Sequence, residues 1–183
     1  MELRYDAVAR SAAPGDYAPY SEQYVLQVKG DDILDSLQAQ LKQTTMLFSG
    51  RSERDGNFRY APGKWTVKEV LGHVADTERV FAYRALRFAR GDQTPLAGFE
   101  QEDYVRGARF GARKLADVVE EYADVRQASL TLFRSLDEEA WLRRGVASDH
   151  PVTVLALAYL IAGHELHHRK ILDERYFPAI PRA

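Results

Sequence analysis

Apolar residues recur at three- and four-residue spacing along four stretches of the chain, and no stretch sustains the period-two alternation of a half-buried strand. In the first, Ile33, Leu34, Leu37 and Leu41 predict a helix from about Asp32 to Phe48, stopped by Ser49-Gly50. The second has the best-marked start. Thr66 has the position of an N-cap, Glu69 that of its capping-box partner, and Trp65 and Val70 have hydrophobic-staple spacing. This helix continues through Val74, Phe81, Ala85 and Phe88 to Gly91, the natural C′ residue. A third helix is expected from about Ala112 to Leu136, carried by Leu115, Val118, Val119, Tyr122, Val125, Leu132, Phe133 and Leu136. After a short turn at Asp137 to Trp141, a fourth begins near Pro151 or Thr153 and runs to about Arg175.

The segments between these helices add one constraint. Asp92 to Gly111, with Pro95, Gly98 and Gly107, is long for a connection, which points to a functional loop or a helical turn of its own. Residues 1–30 carry Pro14, Gly15, Pro19 and several tyrosines without a lasting period and read as an irregular arm; 177–183 read as a tail. The fold expected is all-α: a four-helix bundle with a long crossover between helices two and three, forming a single domain over 1–183.

Composition narrows the classes of function. With 183 residues, 45% apolar and 28% charged, the chain has the balance of an ordinary globular domain. A net charge of −2 gives no basic footprint for nucleic acid. No apolar run approaches the roughly 20 residues needed to cross a bilayer, and the N-terminus lacks the apolar middle of a signal peptide, so a cytoplasmic location is expected. The chain has no cysteine, which excludes disulfides, thiolate ligands and a cysteine nucleophile supplied by the protein.

Candidate chemistry lies in AGHELHHRKIL, Ala162 to Leu172, which holds three of the five histidines. It contains H-E-x-x-H, the zinc-protease signature. At about 100° per residue, His164 and His168 lie about 40° apart, on the side that also carries Leu157, Leu160, Ile161 and Ile171. His167 falls at the edge of that stripe and Glu165 well off its centre. Two imidazoles within an apolar stripe need partners, because burying such a polar ring unpaired costs about 1–3 kcal/mol. Either a metal supplies the partner, or each ring hydrogen-bonds a neighbouring helix. His73, beside the stripe of helix two, has the place of a third ligand and would leave a metal position open for water or substrate. His150 reads as a loop residue. The protease reading fails on the residues beyond the motif: Ile171 and Glu174 stand where a metzincin needs glycine and histidine. The H-E-x-x-H match is accidental on this reading.

APGKWTVKEVLGHVADTE together with GHELHHRKIL resembles the DinB/YfiT-like metalloenzyme family, with a resemblance spanning about Asp16 to Tyr176. The resemblance implies a four-helix bundle with a long crossover, often dimeric. It also implies a divalent metal, zinc or nickel, held by positions that here are His73, His164 and His168. It further implies a small-molecule substrate. The leading activity is transfer of a low-molecular-weight thiol such as bacillithiol or mycothiol to an electrophile. The alternatives are a metal-dependent hydrolase using the same site and a non-catalytic metal-binding or interaction protein. The expected cofactor set is therefore the divalent ion, with the thiol as co-substrate.

Softer candidates surround this trio. Asp76, one turn beyond His73, is the candidate catalytic or ligand-orienting carboxylate, against its reading as a solvated acid. Tyr83 and Arg84 on helix two, and Glu100, Asp103 and Tyr104 in the crossover, are candidates for lining a substrate cleft. The spacing of Arg84, Arg87 and Arg90 reads as a solvated face rather than an anion site.

Overall fold

The structure, a computed structural model, describes residues 10–30 and 32–181; the first nine residues of the expected arm and the last two of the tail lie outside the described residues. Four long helices form the frame: α2 (Ile33–Phe48), α4 (Val67–Ala89), α6 (Leu115–Arg134) and α8 (Val154–Ile171). Their starts reflect the local chemistry. Asp32 caps α2 by accepting from the Leu34 and Asp35 amides. Thr66 and Glu69 close a reciprocal capping box on α4. Thr153 accepts from Ala156 N at 3.1 Å to start α8. At the other end of α4, Gly91 takes φ +80°, the left-handed geometry of a C′ stop.

The four pack in the cyclic order α2, α6, α4, α8, so that α2 and α4 stand on one diagonal and α6 and α8 on the other. The crossover between α4 and α6 carries α5 (Gln101–Ala108), which accounts for the length of that connection. Shorter helical pieces are α1 (Glu22–Val25), α3 (Glu53–Gly56) and α7 (Glu138–Leu142).

Three features depart from the expected pattern. A two-stranded antiparallel hairpin, β1 (Arg144–Ala147) and β2 (His150–Thr153), precedes α8. Each strand has four residues, too short to register as an alternation. Its turn uses Ser148 and Asp149 at φ +51° and +63° instead of the Asn-Gly that would have announced it. Second, the α-helix of α8 ends at Ile171 and continues as a π-helical turn, Leu172–Tyr176. Third, α8 is not a one-faced amphipathic helix: from Val154 to Glu165 every residue is buried. It is the central helix, covered by α2, α4, α7, the hairpin and the N-terminal arm.

The arm reaches the core through α1, which packs along α8. Gly163 permits this approach, because a Cβ there would collide with the Tyr24 carbonyl.

The apolar interior forms two clusters. One surrounds the N-terminal half of α8, with Phe88, Phe133 and Trp141. The other lies at the opposite end, with Leu71, Phe110, Tyr122 and Tyr176. Between the helices sits a buried polar network. Arg126 makes a two-pronged pair with Glu78, donates to Leu37 O and Gln40 Oε1, and donates to Glu165 Oε2 at 2.5 Å. Thr44 donates to the other Glu165 oxygen, and Gln40 Nε2 to Ala162 O. All four long helices are thereby tied through one guanidinium.

Candidate metal centre

His73 comes from the first half of α4, and His164 and His168 from successive turns of α8 across the α4–α8 seam. Their ring nitrogens converge: His164 Nε2 lies 3.1 Å from His73 Nε2 and 3.1 Å from His168 Nε2. One ligand atom from each falls within 4.8 Å of the others, and no carboxylate joins the group among the described residues. His73 and His164 are buried and His168 is partly so.

This geometry tests whether the rings suit a metal. A ring nitrogen has one in-plane lone pair or one hydrogen. The single His164 Nε2 faces two neighbouring nitrogens, so hydrogen bonding among the three leaves one poorly satisfied. A cation accepts all three lone pairs at once. Burial disfavours the imidazolium form throughout: it pushes His73 down to about 4 and His168 down to about 3, and it holds His164 well below its ordinary value. All three are therefore neutral near pH 7, the state in which imidazole ligates.

The surroundings fix the rings. Thr77 Oγ1, one turn along α4, lies 3.4 Å from His73 Nδ1, so the ring's far nitrogen faces a hydroxyl while Nε2 faces the other histidines. Trp65, the staple residue, has its ring 4.8 Å from that of His73 and 6.5 Å from that of His168, and its Nε1 donates to Glu102 at 3.1 Å. Tyr24 from the arm stands edge-on to His164 at 5.7 Å and to His167 at 5.4 Å.

Space reaches the cluster from two directions. A cavity of about 100 Å³ ends at His164, lined by Tyr20, Tyr24, Phe81, Arg84 and His150. Another, of about 250 Å³, ends at His168 and is lined by Lys64, Trp65, Glu102 and Tyr176. Two walls of the first, the hairpin and the arm, have no helical periodicity and left no trace in the pattern of apolar positions.

Of the softer candidates only Arg84 lines a cavity that reaches the histidines, and the others disperse. Asp76 does not face the rings: it pairs with Arg79 at 3.0 Å, and burial holds its carboxyl above the ordinary range. Thr77, which sequence reasoning missed, takes the position by His73. Tyr83 is half exposed, beside Arg87, in a groove with Leu86 and Leu132 between α4 and α6. Arg84, read from its spacing as part of a solvated face, is instead buried, whereas Arg87 pairs with Asp92 and Arg90 stays exposed. Tyr104 packs on Phe99 at 5.0 Å. Glu100 precedes α5 without capping it by its side chain, and Asp103 pairs with Arg106 on the surface. His150 begins β2 and packs edge-on against Tyr20 at 5.4 Å.

Glu165 resolves the H-E-x-x-H match. Its two oxygens are taken by Thr44 and Arg126 in the interior, so the motif's glutamate is a structural anion and not a base beside the histidines.

The DinB superfamily signature matches residues 36–172, a span that includes all three histidines and all four long helices except the first few residues of α2. The chain belongs to the DinB superfamily. A DinB-like fold is also found in a solved structure, YfiT from Bacillus subtilis, described as a probable metal-dependent hydrolase with an unusual four-helix bundle topology. The likeness has a TM-score of 0.66 at 16% identity and covers 90% of this chain and 91% of that one. No curated protein matches the sequence. Among the described residues of this DinB member, no helix is long and apolar enough to cross a membrane.

Proposed function

We propose that this DinB member is a metal-dependent enzyme that joins a low-molecular-weight thiol to an electrophilic small molecule. The observation that carries this reading is the convergence of three neutral imidazoles at a point reached by two separate cavities. One route per reactant suits a two-substrate reaction. His73, His164 and His168 would hold a divalent ion, zinc or nickel, with Thr77 orienting His73 through its Nδ1. Such an ion carries charge that neutral ligands leave undiminished, and it lowers the pKa of a coordinating thiol. The sulfur–carbon bond then forms as the thiol proton passes to solvent and the electrophile's leaving group departs with its electron pair. The chain supplies no thiol of its own, consistent with one brought from outside.

A second reading, hydrolysis at the same site, is favoured by the description of YfiT and by Glu102, the one acid among the described residues lining either of the two cavities. The two differ in what turnover requires. The deciding experiment measures metal per chain on protein purified without chelator, then screens electrophiles with and without added small thiols. About one zinc or nickel per chain with thiol-dependent turnover supports transfer. Turnover without thiol that falls in Glu102→Gln supports hydrolysis. Protein that neither carries nor takes up metal overturns both and leaves a non-catalytic interaction protein.

A further inference from the structure

The cavity that ends at His164 has a charged wall that the bundle does not neutralise. Arg84 is 6% exposed, yet among the described residues it has no carboxylate partner. Its Nη2 donates to Ala97 O at 2.9 Å and to Ser148 Oγ at 3.0 Å. Nε and Nη1 have no acceptor among the described residues. Arg126, the other deeply buried arginine, shows the contrast: two glutamates surround it. A guanidinium stays charged at any working pH, and burying it without a counter-ion is costly.

The neighbourhood is built around that charge. Ser148 reaches Arg84 from a two-residue turn in which neither Ser148 nor Asp149 is glycine and both hold left-handed φ, a conformation that costs energy for such residues. Phe81 and Phe99 present their rings to the guanidinium at 5.7 and 6.0 Å. Among the described residues that line the cavity none is acidic. Tyr20, Tyr24, Phe81 and Leu160 supply an apolar passage between Arg84 and His164.

We propose that Arg84 anchors the carboxylate of a small substrate whose reacting end faces His164. This rests on the reading of the histidines as a metal centre and adds the substrate's class: compact monocarboxylates with an apolar body. The volume of about 100 Å³ limits the size of that body. Holding together Ala97 and Ser148 explains only Nη2. Nε and Nη1 do not share an edge of the guanidinium, so each offers an entering carboxylate a single charge-assisted hydrogen bond.

The test uses the zinc-loaded full chain titrated with benzoate and with butyrate, each against its amide, with binding followed by calorimetry or NMR. Wild type is expected to bind each carboxylate about tenfold or more tightly than the amide. Arg84→Gln should abolish that preference while zinc per chain is unchanged. Arg84→Lys keeps the charge but puts it on one nitrogen, in place of a guanidinium that holds Ala97 O and Ser148 Oγ with Nη2 and can donate to the cavity with the others. It should weaken carboxylate binding and spare amide binding, which decides the matter even where the glutamine variant does not fold. No preference in wild type overturns the inference. So does a preference that survives both substitutions, because the carboxylate would then sit on the metal. The zinc content of the same samples reads the metal centre separately, so the two failures are distinguishable.

Discussion

Arg126 Nη2 donates to Glu165 Oε2 at 2.5 Å in the middle of the bundle, joining α6 to α8 across its diagonal. Both side chains are essentially inaccessible to solvent, so the pair's partners are fixed by packing. Removing one charge from a buried pair costs up to about 3–5 kcal/mol when the other is left alone, and less here because Arg126 keeps its two-pronged pair with Glu78. Glu165→Gln is therefore expected to lower stability in urea titration while leaving metal stoichiometry unchanged. Loss of metal without loss of stability would return Glu165 to the site.

The ligand assignment predicts a graded series. His164→Ala, which removes the nitrogen facing both others, should abolish tight metal binding by elemental analysis. Chelator treatment of wild type should lower the melting temperature, because an ion that binds only the folded chain stabilises it by mass action. Stoichiometric metal retained in the His164 variant would sink the assignment.

Thr77→Val should weaken metal affinity by about 10–100-fold, the usual scale for removing a group that orients a ligand ring. Asp76→Asn, whose carboxylate pairs with Arg79 away from the rings, should not. Competition with a chromogenic chelator measures both. The opposite order would mean that the carboxylate acts on His73 through solvent.

Gly163→Ala should displace the arm. The added methyl meets the Tyr24 carbonyl, and overpacking of this kind costs about 1–3 kcal/mol. Expected readouts are a lower melting temperature and faster proteolysis before Gly30. An unchanged digestion pattern would show that the arm is held by other contacts.

Glu121 ties α6 to Arg79 at 2.7 Å and to Arg113. Burial raises its pKa, but the two guanidinia outweigh this and hold it below the usual carboxylate range. Its contribution is therefore complete above the unfolded value of about 4.3 and disappears as pH falls through the lower folded value. Glu121→Gln should cost at most about 1 kcal/mol at neutral pH, as expected of a partly exposed pair. The gap to wild type should close in acid. A gap that widens in acid would contradict the sign of the shift.

The sequence by itself determined the four long helices and the placing of His164 and His168 on one helix face, whereas the approach of His73 to that pair is a contact between distant segments. The first two derive from local rules. The Thr66–Glu69 box and the Gly91 stop act within a single turn, and His164 and His168 are brought together by one helix's own periodicity. Tertiary structure decided what depends on approach between distant segments. The diagonal arrangement of α2 and α4, the burial of α8 from Val154 to Glu165, and the pairing of Glu165 with Arg126 depend on contacts between residues far apart in the chain. For the same reason spacing alone placed Arg84 on a solvated face. Helical position fixes a side chain's direction, but whether that direction meets water or a cavity wall depends on where the crossover and the Ser148 turn come to rest.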